Sequence, residues 1–167
     1  MSDAASTYRI CNIELDEKSI IRRNADIDHE RRVAIFDLLE DNSYQPLGNL
    51  PGNYPGPFRL VLRMEDNRLA MDIYSAEDLS QDSKLSIIVM PLTLLRRTIK
   101  DYFHICDSYF TAIKSASPRQ IETIDMARRS LHDEGSEILQ DKLGDKVKMD
   151  FQTARRLFTL ICVLQIR

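Results

Sequence analysis

From Leu92 onward, apolar residues recur in alternating steps of three and four. Leu92, Leu95, Ile99, Tyr102, Cys106, Tyr109 and Ile113 fall on one helical stripe, widened by Phe103 and Phe110. The pattern stops at Ser115–Pro118 and restarts with a serine able to cap, a proline at the first helical position and Gln120 at the capping-box position. A long helical hairpin over residues 91–143 is therefore predicted. Its return helix carries Ile121, Ile124, Arg128, Leu131, Gly135 and Ile138 in the same register, so an arginine and a glycine interrupt the stripe. Folding the helices back sets Arg128 near Cys106 and Gly135 near Ile99. A buried arginine needs a carboxylate, Asp107 or an acid from elsewhere. A mid-helix glycine costs about 1 kcal/mol relative to alanine, and close approach of a helix or a bulky aromatic is the expected compensation.

Elsewhere the period is two. Residues 7–15 alternate, with Cys11, Ile13 and Leu15 on one side, as a half-buried strand does. Phe58–Tyr74 reads as a hairpin. With Asp66-Asn67 as a two-residue turn, Glu65 faces Arg68, Met64 faces Leu69, Leu62 faces Met71 and Leu60 faces Ile73, which puts six apolar side chains on one face. Ser75–Ser83 is a polar connection, and Lys84–Met90, with Leu85, Ile87 and Val89, is a further strand. A helix over His29–Glu40, capped by Asp26 or Asp28, would turn Val33, Phe36 and Leu39 to the core. A last helix, capped by Asp150, runs over 151–166 and is apolar all round in its second half, as a central core helix or one completed by a partner would be. Gly144 stands where a C-cap glycine belongs. Four of the six prolines (Pro46, Pro51, Pro55, Pro57) and three of the five glycines fall in 43–57, a loop long enough to suggest a lid or binding segment.

These elements make one α+β domain over 1–167, a small and mostly antiparallel sheet packed on the helical layer. Composition narrows the function classes. A net charge of -3 argues against a protein that coats nucleic acid, though a local basic patch remains open. Cys11, Cys106 and Cys162 are odd in number and widely spaced, which fits a reducing cytoplasm and buried structural thiols. The N-terminus lacks a secretory pattern, and the apolar run 157–166 is too short to cross a bilayer, so no membrane role is expected.

Candidate chemistry gathers in the helical half. Of five arginine doublets, Arg96-Arg97, Arg128-Arg129 and Arg155-Arg156 lie there, and convergence would make an anion or RNA site, because guanidinium forks grip phosphate and carboxylate. Adjacent helical residues point about 100° apart, however, so the plain reading is surface arginines paired with Asp101, Asp125 or Asp133. His132, Glu134 and Glu137 could form an acid–base or metal site, provided they line one pocket with a further group such as His29 or Glu30 from outside. The spacing lacks a second histidine four residues away, so no metal or cofactor is assigned.

The blocks His29–Glu40, Asp66–Leu69, Ile99–Phe103, Arg128-Arg129 with Leu131-His132, Glu134–Glu137 and Thr153–Leu164 resemble the signature of an uncharacterised bacterial family found mainly in alphaproteobacteria. The resemblance spans nearly the whole chain and implies a bacterial cytoplasmic protein without a defined activity. The sequence favours a non-enzymatic interaction or regulatory protein, a homodimer or protein binder using the last helix or the Tyr44–Tyr54 loop.

Overall fold

The computed structural model describes residues 7–16, 25–77 and 84–165; the Arg22-Arg23 doublet and the 78–83 part of the polar connection lie outside them. The elements in chain order are β1 (Ile10–Leu15), α1 (Ala25–Glu40), β2 (Gln45–Pro46), β3 (Phe58–Glu65), β4 (Arg68–Ser75), β5 (Lys84–Pro91), α2 (Arg96–Ser115), α3 (Pro118–Lys142), β6 (Val147–Lys148) and α4 (Phe151–Gln165). The main sheet has the order β1-β3-β4-β5, with β1 parallel to β3 and the other pairs antiparallel. β2 and β6 form a separate antiparallel pair.

The β3–β4 hairpin has the expected register, from Glu65 opposite Arg68 to Leu60 opposite Ile73. Asp66 and Asn67 both take positive φ, 51° and 62°, as a two-residue hairpin turn requires. β5 is present, yet its inward residues are Ile88 and Met90, while Ile87 is exposed. Pairing decides this: Ile88 stands opposite Met71 and Met90 opposite Leu69, so they inherit the apolar face of β4.

At Ile10 the outer edge of β1 is closed by one side chain. Asn42 accepts from the Ile10 N–H at 2.7 Å and donates to the Ile10 carbonyl at 2.9 Å and the Leu38 carbonyl at 2.8 Å. Ile10 is fully buried, so losing these bonds orphans two backbone groups away from water. Asn42→Ala is expected to lower unfolding stability by about 2–3 kcal/mol, read by urea denaturation, and a loss below about 0.5 kcal/mol would contradict this account.

The 43–57 segment is tied to the body of the protein near both of its ends. Tyr44 is fully buried, with its ring edge-on to Phe58 at 6.3 Å. Tyr54 donates to the Pro57 carbonyl at 2.9 Å. Ser43 ties the segment to the start of α4: its N–H donates to Thr153 Oγ1, and its hydroxyl accepts from the Asp150 N–H.

Ser117 caps α3 through the complete capping box with Gln120, and Asp150 accepts from the Thr153 N–H at 2.8 Å to start α4. On α2, Leu92, Leu95, Ile99, Tyr102 and Cys106 are buried, the first of them in a short 3-10 turn ahead of the helix, whereas Ile113 at the far end is exposed. Gly144 follows the last turn of α3 without positive φ, so it does not form a left-handed cap.

Two expected faces are rotated. α1 begins at Ala25, so Asp26 and Asp28 lie within it, and it buries Ala34 and Leu38 while Val33 and Phe36 stay exposed. Apolar residues run almost unbroken from Val33 to Leu39, so several registers satisfy the pattern and the packing against α4 and β1 selects one. α3 is packed between α2 and α4 and buries a wider arc than one stripe, adding His132, Ser136 and Leu139 beside Gly135. α4 is the central helix: Leu157, Phe158, Leu160 and Ile161 are fully buried among α1, α3 and the sheet.

Candidate anion-binding cleft

Gly135 lets α3 approach α4. A β-carbon built there would lie 2.2 Å from Phe158 Cζ and 2.3 Å from Cε1, so the expected bulky aromatic is Phe158, and it comes from α4. Tyr102, His132 and Phe158 form an edge-to-face cluster, with His132 5.4 Å from the Tyr102 ring and 5.2 Å from the Phe158 ring.

Beside this cluster α1, α3 and α4 border an open cleft of about 340 Å³. Arg128, Arg129 and His132 line it from α3, Arg155, Arg156 and Thr159 from α4, His29, Glu30 and Asp37 from α1, and Tyr102 from α2. Four guanidinium groups therefore face two carboxylates. The helix-packing geometry brings both doublets into one opening, and both members of each take part because the cleft spans the arc between them.

Each arginine also has an acid nearby. Arg128 donates to Asp125 from Nη2 at 2.5 Å and from Nε at 3.1 Å, and stacks on Tyr109 with its Cζ 4.6 Å from the ring centre. Arg129 reaches the other Asp125 oxygen. The hydrogen bond from Arg128 holds the Asp125 carboxyl below the usual carboxylate range. On α4 the pairs are looser, Arg155 to Asp133 at 3.4 Å and Arg156 to Asp37 at 3.8 Å. Of the partners expected for Arg128, the fold uses Asp125, one turn earlier on its own helix.

His132 is the most buried histidine lining the cleft. Burial, with the neighbouring Arg155 cation, pushes it down from the ordinary 6.5 to about 4, so it is neutral at pH 7. Thr159 Oγ1 lies 2.7 Å from its Nε2 and 3.3 Å from the Arg155 carbonyl.

The remaining sequence candidates lie apart. Arg96 borders a different depression with Phe103 and His104, and Arg97 is almost fully exposed, near Asp101. Glu134 and Glu137 sit two and five residues from His132, about 200° and 140° around α3, and line an open depression with Met126 and Asp133. His132, Glu134 and Glu137 thus share no pocket, and no cluster of metal-ligating side chains occurs among the described residues. His29 and Glu30 do reach His132's cleft. Asp37, Tyr102 and Thr159 carried no signal in the sequence, since helix packing alone brings them there.

Of the surfaces favoured for self-association, the loop leaves Leu47 exposed while its Tyr44 and most of α4 are buried. Cys106 and Cys162 are buried, and burial pushes the Cys106 thiol up to about 11, so it is not a reactive thiolate at neutral pH.

Fold and cleft define a small α+β protein whose arginine-lined opening lies between three helices. The chain belongs to the Uncharacterised protein family (UPF0262), which it matches over residues 7–167. It is 55% identical over 168 residues to a UPF0262 protein of Sphingopyxis alaskensis, covering 100% of this chain and 99% of the relative. A UPF0262 protein of Azorhizobium caulinodans is 51% identical over 164 residues, 98% of each chain. One of Brucella anthropi is 49% identical over 167 residues, 100% of this chain and 99% of the relative. No solved structure matches the chain. Among the described residues no helix is long and apolar enough to cross a membrane. Family membership names no activity, so a function has to be argued from the chemistry of the cleft.

Proposed function

We propose that this protein binds a small anion in the cleft between α1, α3 and α4. The reading is carried by the convergence of Arg128-Arg129 and Arg155-Arg156 on one opening, two of whose four ion pairs are longer than a normal hydrogen bond. Guanidinium groups held over apolar packing are suited to bidentate capture of an oxyanion. A cleft of about 340 Å³ suits a small molecule, and the net charge of -3 supplies no extended positive field for an RNA backbone. Three free cysteines support a reducing, cytoplasmic setting.

Titration calorimetry with inorganic phosphate tests this. Arg129→Gln/Arg156→Gln is expected to weaken binding at least tenfold, because each charge-assisted contact is worth roughly 1.5–3 kcal/mol. Arg96→Gln/Arg97→Gln, outside the cleft, is expected to leave it unchanged. Equal losses in the two variants, or no binding to the unsubstituted protein, would sink the reading.

A further inference from the structure

A second depression, also of about 340 Å³, runs along α2 with Gln165 of α4 on its border. Arg96 and Lys100 line it, both exposed and one helical turn apart. Among the described residues neither side chain has an ion pair or a hydrogen bond, whereas all four arginines of the first cleft have acids. Asp101, the acid next to them in sequence, stands against Arg97 instead. Like charges at this spacing repel, so the two cations cost helix stability that no ion pair offsets. The rest of the lining is largely apolar: Leu92 and Ile99, 3% and 5% exposed, lie deepest, and Phe103 is half-buried. On α2, Ile99 and Phe103 fall to one side of the row made by Arg96, Lys100 and His104, so an apolar and a polar row run side by side along the depression.

We propose that this depression is a second binding site, distinct from the cleft between α1, α3 and α4, and that it takes an aliphatic monocarboxylate. The carboxylate lies between the Arg96 guanidinium and the Lys100 ammonium, and the chain lies along Leu92, Ile99 and Phe103. Charge selects the headgroup. Two cations and the single carboxylate of Asp107 leave one net positive charge on the lining, which a monoanion balances and a phosphate dianion exceeds. Asp107 stands about 10 Å beyond Lys100 along the helix, so it repels an anion from that end and leaves the headgroup at the other. Shape selects the tail. From Arg96 to Asp107 the helix rises about 16 Å, a length that an extended chain follows and a compact anion does not fill. A pocket with an apolar lining and a few charged groups at one end is the usual form of a site for such an amphiphile.

Calorimetry of the full chain with sodium octanoate, acetate and inorganic phosphate tests this. Octanoate is expected to bind at least tenfold more tightly than acetate, since each buried methylene contributes roughly fourfold in affinity. Arg96→Gln/Lys100→Gln, at two exposed positions, should weaken octanoate at least tenfold. Arg129→Gln/Arg156→Gln should leave octanoate unchanged, and an equal concentration of phosphate should not displace it. In the unsubstituted protein, the carbon NMR signals of the Leu92 and Ile99 methyl groups should shift on adding octanoate. Equal octanoate losses in the two double variants, or unmoved Leu92 and Ile99 signals, would overturn the site. Acetate binding as tightly as octanoate, or displacement by phosphate, would overturn the ligand class, and absence of any octanoate binding would overturn both.

Discussion

Gly135→Ala is expected to destabilise the protein by about 2 kcal/mol, although alanine is the better helix former by about 1 kcal/mol. The new methyl would lie 2.2–2.8 Å from three atoms of the Phe158 ring. That ring is fully buried and held edge-on by Tyr102 and His132, so it cannot swing aside without disturbing the cluster beside the cleft. The helices must separate instead, and overpacking of this kind costs roughly 1–3 kcal/mol, sometimes more. The pair should be coupled. Phe158→Leu shortens the side chain that clashes, so Gly135→Ala/Phe158→Leu should be at least about 1 kcal/mol more stable than the two single losses predict. Urea denaturation of the four proteins measures this. A Gly135→Ala protein as stable as its parent would refute the close-approach account of this glycine.

Acidification should cost stability through His132. A histidine at about 4 in the folded chain against 6.5 when unfolded means the unfolded state takes up the proton first. Its contribution is therefore fully present above pH 6.5, declines as pH falls toward 4, and is exhausted below that. At 1.36 kcal/mol per pKa unit the whole effect is about 3 kcal/mol. The groups facing the ring fit this sign. Burial leads, and Arg155 and Arg156 of α4 with Arg128 of α3 also oppose protonation, while Asp133 partly offsets them. On the other walls of the cleft stand Tyr102 of α2 and His29, Glu30 and Asp37 of α1. Carboxylates elsewhere titrate in the same range, so the measurement is the difference in unfolding free energy between the unsubstituted protein and His132→Gln from pH 8 to 4. That difference should shift by about 3 kcal/mol against the parent on acidification. A pH-independent difference would show that His132 is not held neutral by its surroundings.

Three local features were legible because nearest-neighbour chemistry decides them, whereas the caps expected from Gly144 and from Asp26 or Asp28 did not form. The Ser117–Gln120 capping box, the Asp150 cap and the Asp66-Asn67 turn each satisfy backbone groups within a few residues, so no distant part of the chain can change the answer. The β3–β4 register followed because a slip of one residue would turn six apolar side chains to the wrong face. Faces with more than one acceptable register were not legible. β5 and α1 each offer apolar residues on both parities or around most of the circumference, and the neighbouring β4, α4 and β1 made the choice.

The cleft divides along the same line. The sequence by itself determined that α3 breaks its apolar stripe at Arg128 and Gly135, that a glycine there needs a close neighbour, and that arginines come in pairs along α3 and α4. Only the tertiary structure decided that the neighbour is Phe158 and that two doublets, His132 and the α1 residues His29, Glu30 and Asp37 meet in one opening. It likewise sent Glu134 and Glu137 to the far side of α3. Helical periodicity states which residues share a face of one helix; where two helices cross, and so which faces meet, depends on how side chains distant in sequence fill the space between them.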